Sequence, residues 1–103
     1  MPQHTTMHVH LQEGFEAERV IVSIDGTVLL DDPDVRTKPQ IGLARATEAD
    51  TTADAVTVRI DLEARHANGT VRVQPKATPF VGVSISSSGE VQFRTQAEPF
   101  GYL

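Results

Sequence analysis

Residues Ala55 to Arg65 read Ala-Val-Thr-Val-Arg-Ile-Asp-Leu-Glu-Ala-Arg, and this stretch decides the fold class. Apolar and polar side chains alternate along it with a period of two. That period places the apolar residues on one face of an extended strand and the charged residues on the other. A helix would distribute the same charges around its whole circumference. The stretch therefore predicts a β-strand with one buried face.

The C-terminal half continues the same alternation through two predicted hairpins. Asn68-Gly69 favours a tight turn, because both residues tolerate a positive φ. The strand after it ends at Pro75, which has no N–H to donate to a ladder. The next strand runs from Phe80 to Ser86, and Ser87-Ser88-Gly89 has the composition of a turn. A last strand begins at Val91.

The N-terminal half shows a less regular pattern of short strands and polar segments. Met7 to Leu11 predicts an opening strand, and Asp25-Gly26 predicts the turn of a hairpin. Asp31 to Gln40 is polar and contains two prolines, so it is predicted to be a loop. Ile41 to Thr47 is predicted to be a strand, and Glu48 to Asp54 a second, acidic loop.

The fold class follows from the number and spacing of these segments. About eight short strands joined by turns are typical of a sandwich or a barrel. A chain of 103 residues without cysteine is long enough for one core that needs no disulfide or thiolate metal site. We predict a single all-β domain over residues 1–103, a small antiparallel β-sandwich. A small β-barrel is the alternative, and the one-sided strands favour the sandwich.

Charge and composition argue against several classes of function. A net charge of −5 does not suit a protein that binds the phosphate backbone of nucleic acids. Four Phe, one Tyr and no Trp leave few rings for stacking on single-stranded bases. The N-terminus lacks the pattern of a signal peptide, and no apolar run is long enough to span a bilayer. We predict no nucleic-acid partner, no membrane association and a cytoplasmic location.

No catalytic motif is visible in the chain. It contains neither a glycine-rich phosphate loop nor a Gly-x-Ser-x-Gly sequence. No pairing of a nucleophile with a base can be argued from the order of the residues. We therefore expect a non-enzymatic protein without a cofactor.

The histidines are the first candidate for a binding site. His8 and His10 lie two residues apart on the predicted opening strand, so they share one face and can converge on one metal ion. A zinc site needs at least three ligands, and His4 or His66 would have to supply the third. Carboxylates of the two acidic loops are a further possibility, for calcium. The favoured interpretation is that these side chains occupy the solvent face and the turns.

The C-terminal segment Glu98-Pro99-Phe100-Gly101-Tyr102-Leu103 is the second candidate. Chain ends are usually polar, whereas this one carries three large apolar residues: Phe100, Tyr102 and Leu103. In the favoured interpretation the segment folds back over an edge of its own core. In the other interpretation it docks on a protein partner or a second copy, by strand addition. These three residues are therefore the candidate partner-binding residues.

Three short segments together carry a resemblance to a known family. They are His-Leu-Gln-Glu-Gly-Phe at 10–15, Phe-Val-Gly-Val-Ser-Ile at 80–85 and Glu-Pro-Phe-Gly-Tyr-Leu at 98–103. With these segments the chain resembles a family of short bacterial all-β proteins of unknown function. The resemblance implies that the chain is a complete protein, and it implies no activity or ligand.

The functional prediction is a small non-enzymatic binding or protein-interaction module of undetermined specificity. It would present a sheet edge, or the tail with Phe100 and Tyr102, to a protein partner or to a second copy. The alternative is a metal-binding protein that uses His8 and His10.

Overall fold

The computed structural model describes residues 4–101. This part of the chain contains eight strands and one short 3₁₀ helix, Glu63–Arg65, between the fifth and sixth strands. Within it no helical segment has the length and apolar character needed to cross a bilayer. The strands are β1 (Thr5–Leu11), β2 (Glu16–Ile24), β3 (Thr27–Arg36), β4 (Arg45–Thr51), β5 (Val56–Leu62), β6 (Ala67–Val73), β7 (Phe80–Ile85) and β8 (Val91–Gln96).

The strands form two separate four-stranded sheets. The front sheet has the order β4-β1-β7-β8, and the back sheet has the order β3-β2-β5-β6. The all-β sandwich predicted from the sequence is therefore confirmed, rather than its barrel alternative. One pairing, between β1 and β7, is parallel, whereas the sequence had predicted an antiparallel fold throughout. This pairing joins strands far apart in sequence, as a parallel pair must, because it requires a long connection.

The core lies between the sheets and consists of the apolar residues that alternation predicted. The inward side chains of β5 are at most 2% exposed. Fully burying one such aliphatic side chain stabilises the fold by about 1.5–3 kcal/mol. The buried cluster comprises Met7, Val9, Leu11, Phe15, Val20, Val22, Val35, Val56, Val58, Ile60, Leu62, Val73, Val81, Val83 and Ile85.

The prediction of a loop from Asp31 to Gln40 is wrong for its first six residues, because β3 continues to Arg36. β3 is an edge strand of the back sheet. An edge strand tolerates a proline such as Pro33, because one side of the strand has no neighbour that would need a backbone N–H. Pairing with β2 is irregular, with register shifts at three places. Val35 nevertheless reaches the core, at 1% exposure, and holds this polar stretch against the sandwich.

The predictions for residues 41–54 are displaced by several positions. Residues 39–42 form a turn closed by the bridge between Lys38 and Leu43, and the strand is β4. Its half-buried residues are Thr47, Ala49 and Thr51, which are small and give a weak apolar signal. The acidic residues predicted to lie in this loop and the earlier one therefore lie partly on edge strands.

The prediction of a turn at Asn68-Gly69 is also wrong, although β5 and β6 do form a hairpin. Both residues lie within β6, and the chain reverses at the 3₁₀ helix, with His66 in the left-handed region at φ 51°. Gly69 has a packing role instead. A Cβ at Gly69 would lie 3.0 Å from side-chain atoms of Phe93 and Val91, so the glycine permits close approach of β8 from the facing sheet.

Candidate functional site

The outer face of the front sheet, which points away from the core, carries the two histidines predicted from β1. His8 lies opposite Phe80 on β7 and opposite Glu48 on β4. His10 lies opposite Gly82 on β7. The two imidazoles therefore share one face of β1, as the spacing indicated, and both are partly buried.

Aromatic rings pack around these histidines. The His8 and Phe80 rings are stacked, with centroids 4.7 Å apart and an interplanar angle of 10°. The Phe100 ring lies 5.6 Å from the His10 ring and meets Phe80 edge to face at 6.4 Å. The Arg94 guanidinium carbon lies 5.3 Å from the centre of the Phe100 ring. We call these five residues the aromatic cluster.

The aromatic cluster surrounds a recess in the sheet surface at Gly82. His10 and Arg94 are the partners of Gly82 on the neighbouring strands, and Phe80 precedes it on the same face of β7. Because Gly82 has no side chain, the surface there is open to other groups. The side chain of Gln12 approaches it, since a Cβ at Gly82 would lie 2.5 Å from Gln12 Oε1. We call this place the Gly82 recess.

The Phe100 ring packs among His10, Phe80 and Arg94 at the border of the Gly82 recess, and Phe100 is only 9% exposed. It is brought there by the side chain of Gln96 on β8. The Gln96 amide Nε2 donates hydrogen bonds to the carbonyls of Glu98, at 2.7 Å, and Pro99, at 3.3 Å. These bonds turn the chain back over the sheet after β8 ends. Phe100 thus packs on its own chain but outside the main core.

The electrostatics of the cluster favour a neutral imidazole at its centre. The pKa of His10 is lowered from 6.5, mainly by burial and secondly by the charge of His8. The Phe100 ring contributes to that burial because it lies against the imidazole. His8 has an acidic neighbour, with Nδ1 3.5 Å from the Glu48 carboxylate. A neutral His10 avoids a desolvated charge beneath the Phe100 ring.

The three segments that carry the family resemblance meet on this face. Gln12 N donates to Val83 O at 2.7 Å, and Ile85 N donates to Glu13 O at 2.8 Å. These bonds join residues 10–15 to residues 80–85 side by side. Phe100 then brings the C-terminal segment onto both, through its ring contacts. The described parts of these segments are distant in sequence and form one continuous structural unit.

The predicted metal ligands are not all brought together. His66 lies in the back sheet, at the connection between β5 and β6, and His4 precedes β1. In the described range 4–101, no group of three or more His, Asp or Glu side chains is placed to hold a metal ion. Metal binding at His8 and His10 stays a prediction.

The predicted acidic clusters are engaged in ion pairs. Asp31 pairs with Arg19 at 2.8 Å, and this hydrogen bond lowers the pKa of the Asp31 carboxyl. Asp32 lies 3.7 Å from Arg45. Asp50 accepts a hydrogen bond from the Thr6 hydroxyl at 2.6 Å.

The partner-binding prediction covers residues on both sides of the last described position. Phe100 packs against the aromatic cluster that borders the Gly82 recess, whereas Tyr102 and Leu103 lie outside the described residues. Sequence reasoning missed Gly82, Arg94 and Gln12. Gly82 and Arg94 lie at outward positions of alternating strands, and Gln12 directly follows the end of β1. Strand order makes them neighbours.

Comparison of the chain with protein-family models and with curated proteins found no match. The site is therefore interpreted from its own geometry.

Proposed function

We propose that this protein is a small non-enzymatic protein-interaction module that binds an aromatic side chain of a protein segment in the Gly82 recess. The observation that supports it is the position of Phe100, which packs among His10, Phe80 and Arg94 outside the main core at 9% exposure. Aromatic side chains buried in well-packed pockets supply much of the binding energy at many protein interfaces. The cytoplasmic location predicted from the sequence belongs to the same proposal.

The chemistry of the recess suits an uncharged ring. Phe80 offers an edge-to-face contact, and Arg94 places a cation against the ring face. Each such contact adds about 0.5–1 kcal/mol beyond the burial of apolar area. Both imidazoles, His8 and His10, are packed against phenyl rings, which supports a role in binding rather than in proton transfer.

The test uses a full-length Phe100→Ala chain, which vacates the recess, and a synthetic peptide of residues 96–103, Gln-Ala-Glu-Pro-Phe-Gly-Tyr-Leu. We expect saturable binding by calorimetry and shifts of the His10 imidazole signals in NMR spectra. The same peptide with Ala in place of its Phe is the matched control and should not bind. The unmodified chain should bind the peptide far more weakly, because its own tail competes at an effective concentration of about millimolar.

Peptide binding should also depend on pH through His10. Docking of a ring favours the neutral imidazole, so protonation opposes docking. Affinity should therefore be full at alkaline pH, where the imidazole of the free chain is neutral, and should decline as the pH falls into the acidic range where that imidazole takes up a proton. A chain carrying both Phe100→Ala and His10→Asn should lose this dependence. Absence of peptide binding to the Phe100→Ala chain at any pH would contradict the proposed function.

A further inference from the structure

We infer that the free edge of β8 pairs with β8 of a second copy, so that the four strands of each front sheet join into one eight-stranded sheet across a two-fold axis. This interface lies along the edge of β8, whereas the Gly82 recess lies on the outer face of the front sheet; Arg94 contributes to both. The inference rests on which backbone groups face outward, on the chemistry of the four edges and on the register that the β8 sequence allows.

The direction of the backbone groups on β8 follows from its pairing with β7. Ser86 N donates to Glu90 O at 2.9 Å, which makes this a hydrogen-bonded pair. Because such pairs alternate along an antiparallel ladder, Gln92, Arg94 and Gln96 also direct their N–H and C=O groups toward β7. The groups of Val91, Phe93 and Thr95 consequently point away from the sheet.

The hydrogen bonds between β7 and β1 confirm this alternation of backbone directions. Gln12 N donates to Val83 O, so Val83 uses its carbonyl toward β1. Ser84, the next residue, then faces β8, as the alternation requires. Within residues 4–101, β8 is an end strand of the front sheet, so its outward groups are available for another strand.

The three other edges carry features that discourage pairing. β3 contains Pro33 and three aspartates and is irregularly paired. β4 carries Arg45, Glu48 and Asp50, and β6 contains Asn68-Gly69, which are poor strand formers. β8 reads Val-Gln-Phe-Arg-Thr-Gln, pairs regularly with β7 and has one charged residue. It is therefore the edge best suited to accept a strand.

The β8 sequence is self-complementary in a register centred on Phe93. Side chains opposite each other in an antiparallel pair lie on the same face. In a pair of identical strands, one residue must therefore lie opposite the same residue of the second copy, with the two-fold axis between them. An axis through Arg94 would oppose two guanidiniums. An axis through Phe93 opposes Phe93 to its copy, Gln92 to Arg94 and Val91 to Thr95, with no like charges facing each other. This register also uses every outward N–H and C=O of β8.

The side chains on this edge gain from a partner. Val91 and Phe93 are partly buried against the core and pack over Gly69 of β6. A second copy would cover their remaining exposed surface and set two Phe93 rings against each other across the axis. Aromatic cross-strand pairs are among the more stabilising ones.

The first test is the solution mass of the full chain by light scattering over a range of concentrations. We expect it to rise from 11.2 kDa toward twice that mass. Thr95→Pro removes an outward N–H without removing a bond to β7, so this chain should melt like the parent and stay monomeric. Thr95→Ala keeps the N–H and should dimerise. A full chain that stays monomeric at about millimolar concentration would overturn the inference, as would equal dimerisation of the Pro and Ala variants.

A second test measures the register of the β8–β8 pair, and it does not require the Thr95→Pro chain to fold. The chain has no cysteine, so Gln92→Cys and Arg94→Cys chains can be mixed under mild oxidation. These positions would form a non-hydrogen-bonded pair with Cα atoms about 4.5 Å apart, within disulfide range. The mixture should cross-link much faster than either variant by itself. Equal rates would overturn the register.

The two proposals fail separately. The Thr95→Pro change leaves the residues of the Gly82 recess intact, so a Phe100→Ala/Thr95→Pro chain should bind the peptide of residues 96–103 as a monomer. Loss of dimerisation with peptide binding retained supports both proposals. Dimerisation without peptide binding supports only the β8 interface.

Discussion

Gly14 and Gly26 have nearly the same backbone conformation, at φ +87° and +84°, but different surroundings. A Cβ at Gly14 would lie 2.1 Å from the carbonyl oxygen of Ile85, whereas a Cβ at Gly26 would meet nothing within 4 Å. Gly14 is thus required both for its φ and for the close approach of β1's end to β7. Gly26 is required only for the φ of a hairpin turn.

Gly14→Ala should therefore destabilise the protein much more than Gly26→Ala. We expect a loss of about 3 kcal/mol or more at Gly14, where backbone strain adds to a clash with main-chain atoms. At Gly26 the left-handed conformation by itself should cost about 1 kcal/mol. Urea unfolding of both variants measures the difference. Equal losses of unfolding free energy in the two variants would show that the close approach of Gly14 to Ile85 does not add to the cost of the substitution.

At the scale of elements, a buried ion pair ties the beginning of β2 to the 3₁₀ helix between β5 and β6. The Glu18 side chain is 5% exposed and accepts hydrogen bonds from Arg65 Nε, at 2.8 Å, and Nη2, at 2.7 Å. Arg65 also donates to Gly14 O at 3.1 Å. One guanidinium therefore holds three segments of the chain at one end of the sandwich.

Removing Arg65 should be costly because it leaves the Glu18 carboxylate buried and unpaired. We expect Arg65→Met to lower the free energy of unfolding by about 3 kcal/mol. The double variant Arg65→Met/Glu18→Met should recover most of that loss. Arg59→Met, which breaks an exposed pair with Asp61, is the matched control and should cost less than about 1 kcal/mol. Similar losses for Arg65→Met and Arg59→Met in thermal or urea unfolding would contradict the structural role of Glu18.

The elements also show where sequence reasoning succeeds. β1, β5, β7 and β8 were predicted because large aliphatic side chains alternate with polar ones along them. β4 was misplaced and the end of β3 was missed. Both are edge strands whose half-buried positions hold small or polar residues, so backbone pairing with a neighbour, rather than an apolar pattern, makes them strands.

At the scale of the whole molecule, charge is unevenly distributed between the two sides of the sandwich. The edge strands β3 and β4 together carry seven charged residues: Asp31, Asp32, Asp34, Arg36, Arg45, Glu48 and Asp50. The opposite edges, β6 and β8, carry Arg72 and Arg94. The side that we infer to dimerise is therefore the side with little charge.

Salt should strengthen the inferred dimer. Each copy carries a net charge of −5, so two copies repel each other at long range, while the β8 register contains no ion pair for salt to weaken. Raising the NaCl concentration from about 0.05 M to about 0.5 M shortens the screening length severalfold and should lower the dimer dissociation constant. Sedimentation equilibrium measures it, with the Thr95→Pro chain as a control that stays monomeric at both salt concentrations. A dissociation constant that rises with salt would indicate an interface made of ion pairs instead.

The sequence by itself determined the fold class, the approximate number of strands, the shared face of His8 and His10 and the unusual apolar tail. Each of these is a local property, readable from the alternation of side chains or from the composition of a short segment. Only the tertiary structure decided that β1 and β7 are parallel neighbours and that Phe100 packs beside His10, Phe80 and Arg94. Those contacts join residues far apart in the chain, and strand order, which brings them together, is set by how two sheets bury a common core and not by any one segment.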